Sequence, residues 1–151
     1  MINTFRGKYY FLSNFYMAPF IYKGISYLNA EAAFQSAKCM KPEDRQKFSL
    51  LPPAEAKRFG KKVLLRPDWE TYKFGVMREV IRAKFEQNPD LAQKLLDTDP
   101  QHLIEGNHWH DNIYGICYCN KCQGIKGKNV LGKILMEERA SLKKERIKTT
   151  S

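Results

Sequence analysis

The segment "RPDWETYKFGVMREVIRAKFEQ", residues 66–87, constrains this fold more than any other stretch of the chain. Trp69, Tyr72, Val76 and Val80 recur at helical spacing, and Phe74, Met77, Ile81 and Phe85 widen the stripe. Pro67 suits a first turn, so a helix over 67–87 is predicted. A stripe that broad needs neighbours on several sides, which places the helix centrally.

The rest of the chain supplies those neighbours. "APFIYKGISYLN" reads as a β-hairpin around Lys23-Gly24, with Gly24 free to take positive φ. Asn29 caps a helix running to Met40, and Pro42 and Pro53 open helices over 43–50 and 53–61. "NPDLAQKLLDT" predicts another helix and "HLIEG" a short strand, while "KYYFLSNFY" begins strand-like and breaks at Ser13-Asn14. A last helix starts at Asn129 and buries Val130, Leu131, Ile134 and Leu135. The expected fold is therefore α+β and predominantly α-helical, with short N-terminal strands and about six helices. No repeat or low-complexity linker divides it, so one domain over 1–142 is expected, followed by a basic, frayed tail over 143–151.

Composition narrows the function classes. Hydrophobic residues make up 43% and aromatics 13% of the chain, which supports a packed core and excludes a disordered segment. No apolar run approaches a membrane span, and "MINTFRGKYY" lacks the apolar block of a signal peptide. A cytoplasmic location is expected, with the four cysteines as thiols or metal ligands. Lys and Arg outnumber Asp and Glu by 26 to 16, for a formal charge of +10, which favours phosphate-bearing partners.

Three polar clusters are not explained by folding alone. In "NAEAAFQSAK", Glu31, Gln35 and Lys38 fall at i, i+4 and i+7 on one helix face, beside small alanines. Such a row is usually solvated. Here Glu31 sits in the first turn, where the helix dipole favours an anion, and the alanines would let a ligand approach. In "FLSNFY", Ser13 and Asn14 lie between aromatics, as a turn or as a loop offering a hydroxyl and an amide to a sugar. In "NHWHDNIYG", Asp111 lies in a loop among His108, Trp109, His110 and Tyr114. An Asx turn accounts for this segment equally well. An Asp and a Glu in converging loops would provide the pair that glycosidic hydrolysis uses.

Cys117, Cys119 and Cys122 form C-x-C-x2-C, which Cys39 or a nearby histidine could complete as a zinc site. The paired motifs of zinc knuckles are missing, so thiols packed in a loop are the favoured reading and no metal is expected. "GIKGKN" matches no phosphate-loop fingerprint, although its backbone and Lys126 or Lys128 could meet a phosphate at the last helix.

Taken in order, "FLSNFY", "AEAAFQSAK", "PDWETYKFGVMREVIRAKFEQNPDLAQKLLDT", "DNIYG" and "GKNVLGKILMEER" resemble the NADAR domain, or YbiA-like, family over nearly the whole chain. The resemblance implies an α+β N-glycosidase without a cofactor. Its substrates would be phosphoribosylamino-pyrimidine intermediates of riboflavin synthesis, or ADP-ribose attached to guanine, including guanine in nucleic acid. By motif it implies catalytic roles for Glu31, Asp111 and Trp69, with Trp69 equally suited to anchoring the long helix. It implies substrate contacts from Arg6, Ser13, Asn14, Phe15, Phe34, Gln35, Lys38, Tyr114, Gly115 and Asn129. Tyr114 stands where the family usually has Trp. A non-enzymatic nucleotide-binding module is the alternative of a different class.

Overall fold

The computed structural model describes residues 1–150, with the side chains of residues 149 and 150 not described. The chain divides into two compact units: Asn14–Pro89, and Met1–Ser13 together with the chain from Asp90 onward.

In the first of these units, the hairpin forms where Gly24 allows it. Strands β1 (Met17–Tyr22) and β2 (Ile25–Asn29) pair antiparallel. Lys23 and Gly24 both turn through positive φ, at 50° and 82°, as a two-residue turn of this handedness requires. The register shifts between Met17 and Phe20, a break that accommodates Pro19, which has no N–H for a ladder. Ala18, Phe20, Tyr22, Ile25 and Tyr27 alternate inward. Asn29 then ends the strand and caps helix α1 (Ala30–Ser36): its Oδ1 accepts from Ala32 N at 2.8 Å, while its Nδ2 donates to Leu51 O at 3.0 Å. Helices α2 (Pro42–Gln46) and α3 (Pro53–Gly60) both begin at prolines. Both α1 and α2 are shorter than the sequence predicts, because turns carry the chain through 37–38 and 47–50.

Helix α4 (Trp69–Glu86) buries Trp69, Val76, Met77, Val80, Ile81 and Phe85. Tyr72 departs from the expected stripe: it is 50% exposed, with the Arg66 guanidinium 5.0 Å over its ring. Lys84 takes a place on the buried face instead, with no exposed surface.

In the other unit, 7–12 was expected to start as a strand and is a 3-10 helix, Gly7–Leu12. Gly7 enters it at φ 58°, a conformation its aromatic neighbours would strain to adopt. Helix α5 is Pro89–Asp97. Within "HLIEG", Leu103 bridges to Ile2 and Gly106 opens β3 (Gly106–Asn107), which runs parallel to β4 (Ile116–Cys117). A second 3-10 helix covers Asn120–Cys122.

Helix α6 (Val130–Thr150) runs on through 143–148, which is exposed. Leu142 is buried, Lys143 Nζ reaches Asp99 Oδ2 at 3.0 Å, and Arg146 hydrogen-bonds Gln93. These contacts hold the helix three turns beyond its apolar start, and Ser151 lies outside the described residues. Among the described residues, no helix is long and apolar enough to cross a membrane.

Candidate functional site

The row on α1 does not face water. Glu31 is 8% exposed and Gln35 7%, and Lys38, just past the helix, is half-buried. An ionised carboxylate at that burial needs hydrogen-bond donors. Gln35 Nε2 supplies one, donating to Glu31 Oε1 at 2.9 Å across one helical turn. The chain just before β1 fixes the other side of the site, where Glu31 N donates to Asn14 O at 3.0 Å.

Two carbonyl oxygens of this unit lack a hydrogen bond, one of them on the amide that donates to Glu31. Asn14 Oδ1 and Gln35 Oε1 are buried and accept nothing from the protein. Asn14 Nδ2 spends itself on the Met77 thioether at 3.4 Å, a weak acceptor. Leaving such an acceptor buried and unpaired costs about 1–3 kcal/mol. A fold carries that penalty where a ligand hydroxyl or amine supplies the missing donor.

Helix α3 closes the far side of Gln35. A Cβ built at Gly60 would lie 2.0 Å from Gln35 Oε1, so only glycine leaves room for the amide in this position. Lys38 Nζ donates to Gly60 O at 3.4 Å. Burial lowers the Lys38 pKa, with Lys61 adding to the effect and the Glu31 carboxylate opposing it, which places Lys38 and Glu31 within electrostatic reach. Phe15 is part-buried with Lys57 Nζ 6.0 Å over its ring.

Trp69 lies against Phe34, ring centroids 5.2 Å apart and tilted by 58°. The indole is 5% exposed, so it packs at the start of α4.

Asp111 and the remaining candidates belong to the other unit. Asp111 Oδ1 accepts from Ile113 N at 3.0 Å and Tyr114 N at 2.9 Å, the Asx turn that the sequence allowed. Asn107 braces the same loop, donating to Asp111 O at 2.8 Å and accepting from Asp111 N at 3.2 Å. Gly115 is buried because a Cβ there would meet Glu105 O at 2.1 Å. Tyr114 and Ser13 are half-buried, and Arg6 is exposed.

Asn129 is 3% exposed at φ 49°, its Nδ2 donates to Leu103 O at 2.9 Å, and its Oδ1 accepts from Glu105 N at 3.0 Å, so the amide clamps the start of α6.

Three features escaped the sequence reading. Gly60 carries no sequence signal beyond its place at the end of a helix. Lys84 could have been found, because the stripe through Met77 and Ile81 runs straight to it; burial holds its ammonium pKa down to about 7, with Tyr16 and Phe85 rings 5.9 and 5.2 Å from Nζ. Neither does any motif mark the cavity of about 400 Å³ lined by Cys39, Lys41, Lys47, Phe59, Lys62 and Arg66, among others. None of Glu31, Gln35 or Trp69 lines it. Its basic side chains are partly paired, Lys47 with Asp44 and Arg66 with Asp68.

The chain is a hairpin-led, mostly helical α+β protein with a buried Glu–Gln pair at its first helix. The NADAR domain profile matches residues 3–143, and the chain belongs to that family, the YbiA-like N-glycosidases. It is 36% identical over 137 residues to N-glycosidase YbiA of Escherichia coli K12, covering 86% of this chain and 79% of that protein. It is 38% identical over 78 residues to N-glycosidase R617 of Acanthamoeba polyphaga mimivirus, covering 47% of this chain and 45% of that one. The NMR structure of E. coli YbiA superposes with a TM-score of 0.80 at 34% identity, covering 97% of this chain and 89% of that one. A more distant relative, the riboflavin biosynthesis protein VVA0006 of Vibrio vulnificus, is 32% identical over 139 residues, which are 87% of this chain and 35% of that protein.

Proposed function

We propose that this chain hydrolyses the C1′–N bond of a phosphoribosylated base, most directly a phosphoribosylamino-pyrimidine of the kind made early in riboflavin synthesis. The carrying observation is the buried Glu31 held by the Gln35 amide, with the Gln35 and Asn14 carbonyl oxygens both unpaired. A ribose presents hydroxyl donors, which those oxygens lack, and its C1′ gains positive charge as the base departs. A carboxylate in a poorly solvated site stabilises that charge strongly, and can take a proton from the water that adds to C1′. The products are the free base, with the proton on nitrogen, and the sugar carrying the new hydroxyl at C1′.

In this reading Glu31 is the catalytic carboxylate, Asn14 and Gln35 hold ribose hydroxyls, and Lys38 binds phosphate. For Asp111 the family motif alone carries a catalytic assignment; its Oδ1 is committed to its own turn. Arg6, Ser13, Phe15 and Tyr114 are assigned to the substrate's periphery, and Phe34 to holding α1 against Trp69. The name of the YbiA proteins supports cleavage of an N-glycosidic bond, and that of VVA0006 supports a link to riboflavin synthesis.

ADP-ribosylated guanine is the rival substrate, favoured by the +10 charge and the cation-lined cavity. Incubation with each candidate, followed by mass spectrometry, separates the two. The proposal expects free pyrimidine and ribose 5-phosphate from the first substrate. Release of guanine alone would transfer the assignment to the second, and release of neither would leave a nucleotide-binding module.

A further inference from the structure

The loop that carries Asp111 also holds a feature the glycosidase reading does not use. His110, Cys117, Cys119 and Cys122 bring their ligand atoms within 4.8 Å of one another. His110 Nδ1 lies 3.3 Å from both Cys119 Sγ and Cys122 Sγ. A tetrahedral zinc with Zn–S near 2.3 Å and Zn–N near 2.0 Å sets its ligand atoms about 3.5–3.8 Å apart. The cluster is already close to that size.

We propose that these four residues form a closed structural zinc site. The donor set, three thiolates and one imidazole, is among the commonest for structural zinc, and it leaves no coordination position open for water. Cys117 and Cys122 are buried, at 4% and 6% exposure, so the ion would be shielded. Cys39, considered from sequence as the fourth ligand, belongs to the other unit, and His110 takes that place. Its backbone adopts φ 70°, an unusual conformation for histidine, in the turn that leaves Nδ1 among the sulfurs.

The surroundings supply what thiolates need. His110 N donates to Cys117 Sγ at 3.3 Å, and Asn112 Nδ2 donates to Cys122 Sγ at 3.4 Å. The same Asn112 accepts from Cys117 N at 3.0 Å, so one amide fixes two ligands. Packing of apolar thiols would not gather an imidazole nitrogen and sulfur-directed N–H groups around one point. A disulfide would use two of the three sulfurs, whereas all four cysteines of the chain are free. The ligands bracket Asp111, one position after His110, so the metal would staple the loop that presents it. The zinc acts as a brace and takes no part in bond cleavage.

The test uses the full chain, expressed with zinc and purified under reducing conditions. Elemental analysis should find one zinc per chain, and cobalt exchanged into the site should give the visible bands of tetrahedral thiolate coordination. Cys119→Ser and Cys122→Ser should lose the metal, while Cys39→Ser and His108→Ala should retain it. A strong chelator should lower the melting temperature of the wild type and leave that of a metal-free ligand variant unchanged. If the ligand variants do not fold, zinc content and the cobalt spectrum of the wild type still decide the matter. A metal-free wild type with titratable thiols, a disulfide within the cluster, or full zinc retention by Cys119→Ser would each overturn the site. None of these readouts depends on glycosidase activity.

Discussion

The α1 site and the 107–129 loop are both rich in polar side chains, and they treat them in opposite ways. In the loop, Asn107, Asp111, Asn112 and Asn129 hydrogen-bond to neighbouring backbone, each holding the chain in a turn or at a helix start. On and before α1, Gln35 and Asn14 are buried, yet each keeps a carbonyl oxygen that accepts nothing. Amides whose bonding is completed by backbone build structure. Those left incomplete next to a buried carboxylate are disposed to receive a ligand.

That contrast predicts the largest effect for Glu31. Glu31→Gln keeps the size of the side chain and removes its charge, so turnover should fall roughly 10²–10⁴-fold with the melting temperature little changed. Steady-state kinetics and a thermal melt on one preparation check both halves.

Next come the two asparagines. Asn129→Ala strands Leu103 O and Glu105 N and should cost about 2–3 kcal/mol of stability. Asn14→Ala loses one weak amide–thioether bond and should cost about 1 kcal/mol or less, while raising KM. Denaturant titration of both variants would erase the distinction if Asn14→Ala proved the more damaging to the fold.

A smaller, pH-dependent effect belongs to Lys84. Its pKa is about 7 when folded against an ordinary value of 10.5, so between those limits the unfolded chain binds the extra proton. The penalty for burying the ammonium is full below pH 7 and is relieved as pH rises. Stability should therefore climb from pH 7 toward 10, by up to about 1.4 kcal/mol per unit, and Lys84→Met should flatten the slope. The burial of Lys38 acts in the same direction.

The smallest effect expected is that of salt. A phosphoribosylated metabolite meets few cations, so KM should change only about threefold between 50 and 200 mM salt. A drop in affinity of a hundredfold or more would point to a nucleic-acid substrate.

Much of the fold is legible because local rules and tertiary packing agree. Gly24 marks the hairpin, Asn29 the start of α1, and Pro53 the start of α3. Where they disagree, packing prevails. Tyr9, Tyr10 and Phe11 favour a strand, but Gly7 enters a 3-10 helix. The charged stretch at the C-terminus looks solvated, but Leu142, Lys143 and Arg146 find partners.

The site divides in the same manner. Spacing alone puts Glu31, Gln35 and Lys38 on one helix face. Their burial comes from α3 and from the chain before β1, which no helical period reveals. His110 joins three cysteines because Asn107, Asp111 and Asn112 fold the intervening loop, so C-x-C-x2-C appeared incomplete in the sequence.

Single-turnover release of free base, measured beside substrate affinity for the wild type and Glu31→Gln, tests the central claim most directly. The account predicts that the variant binds with similar affinity and releases base at least about a hundredfold more slowly. Equal release rates from the two proteins would contradict it.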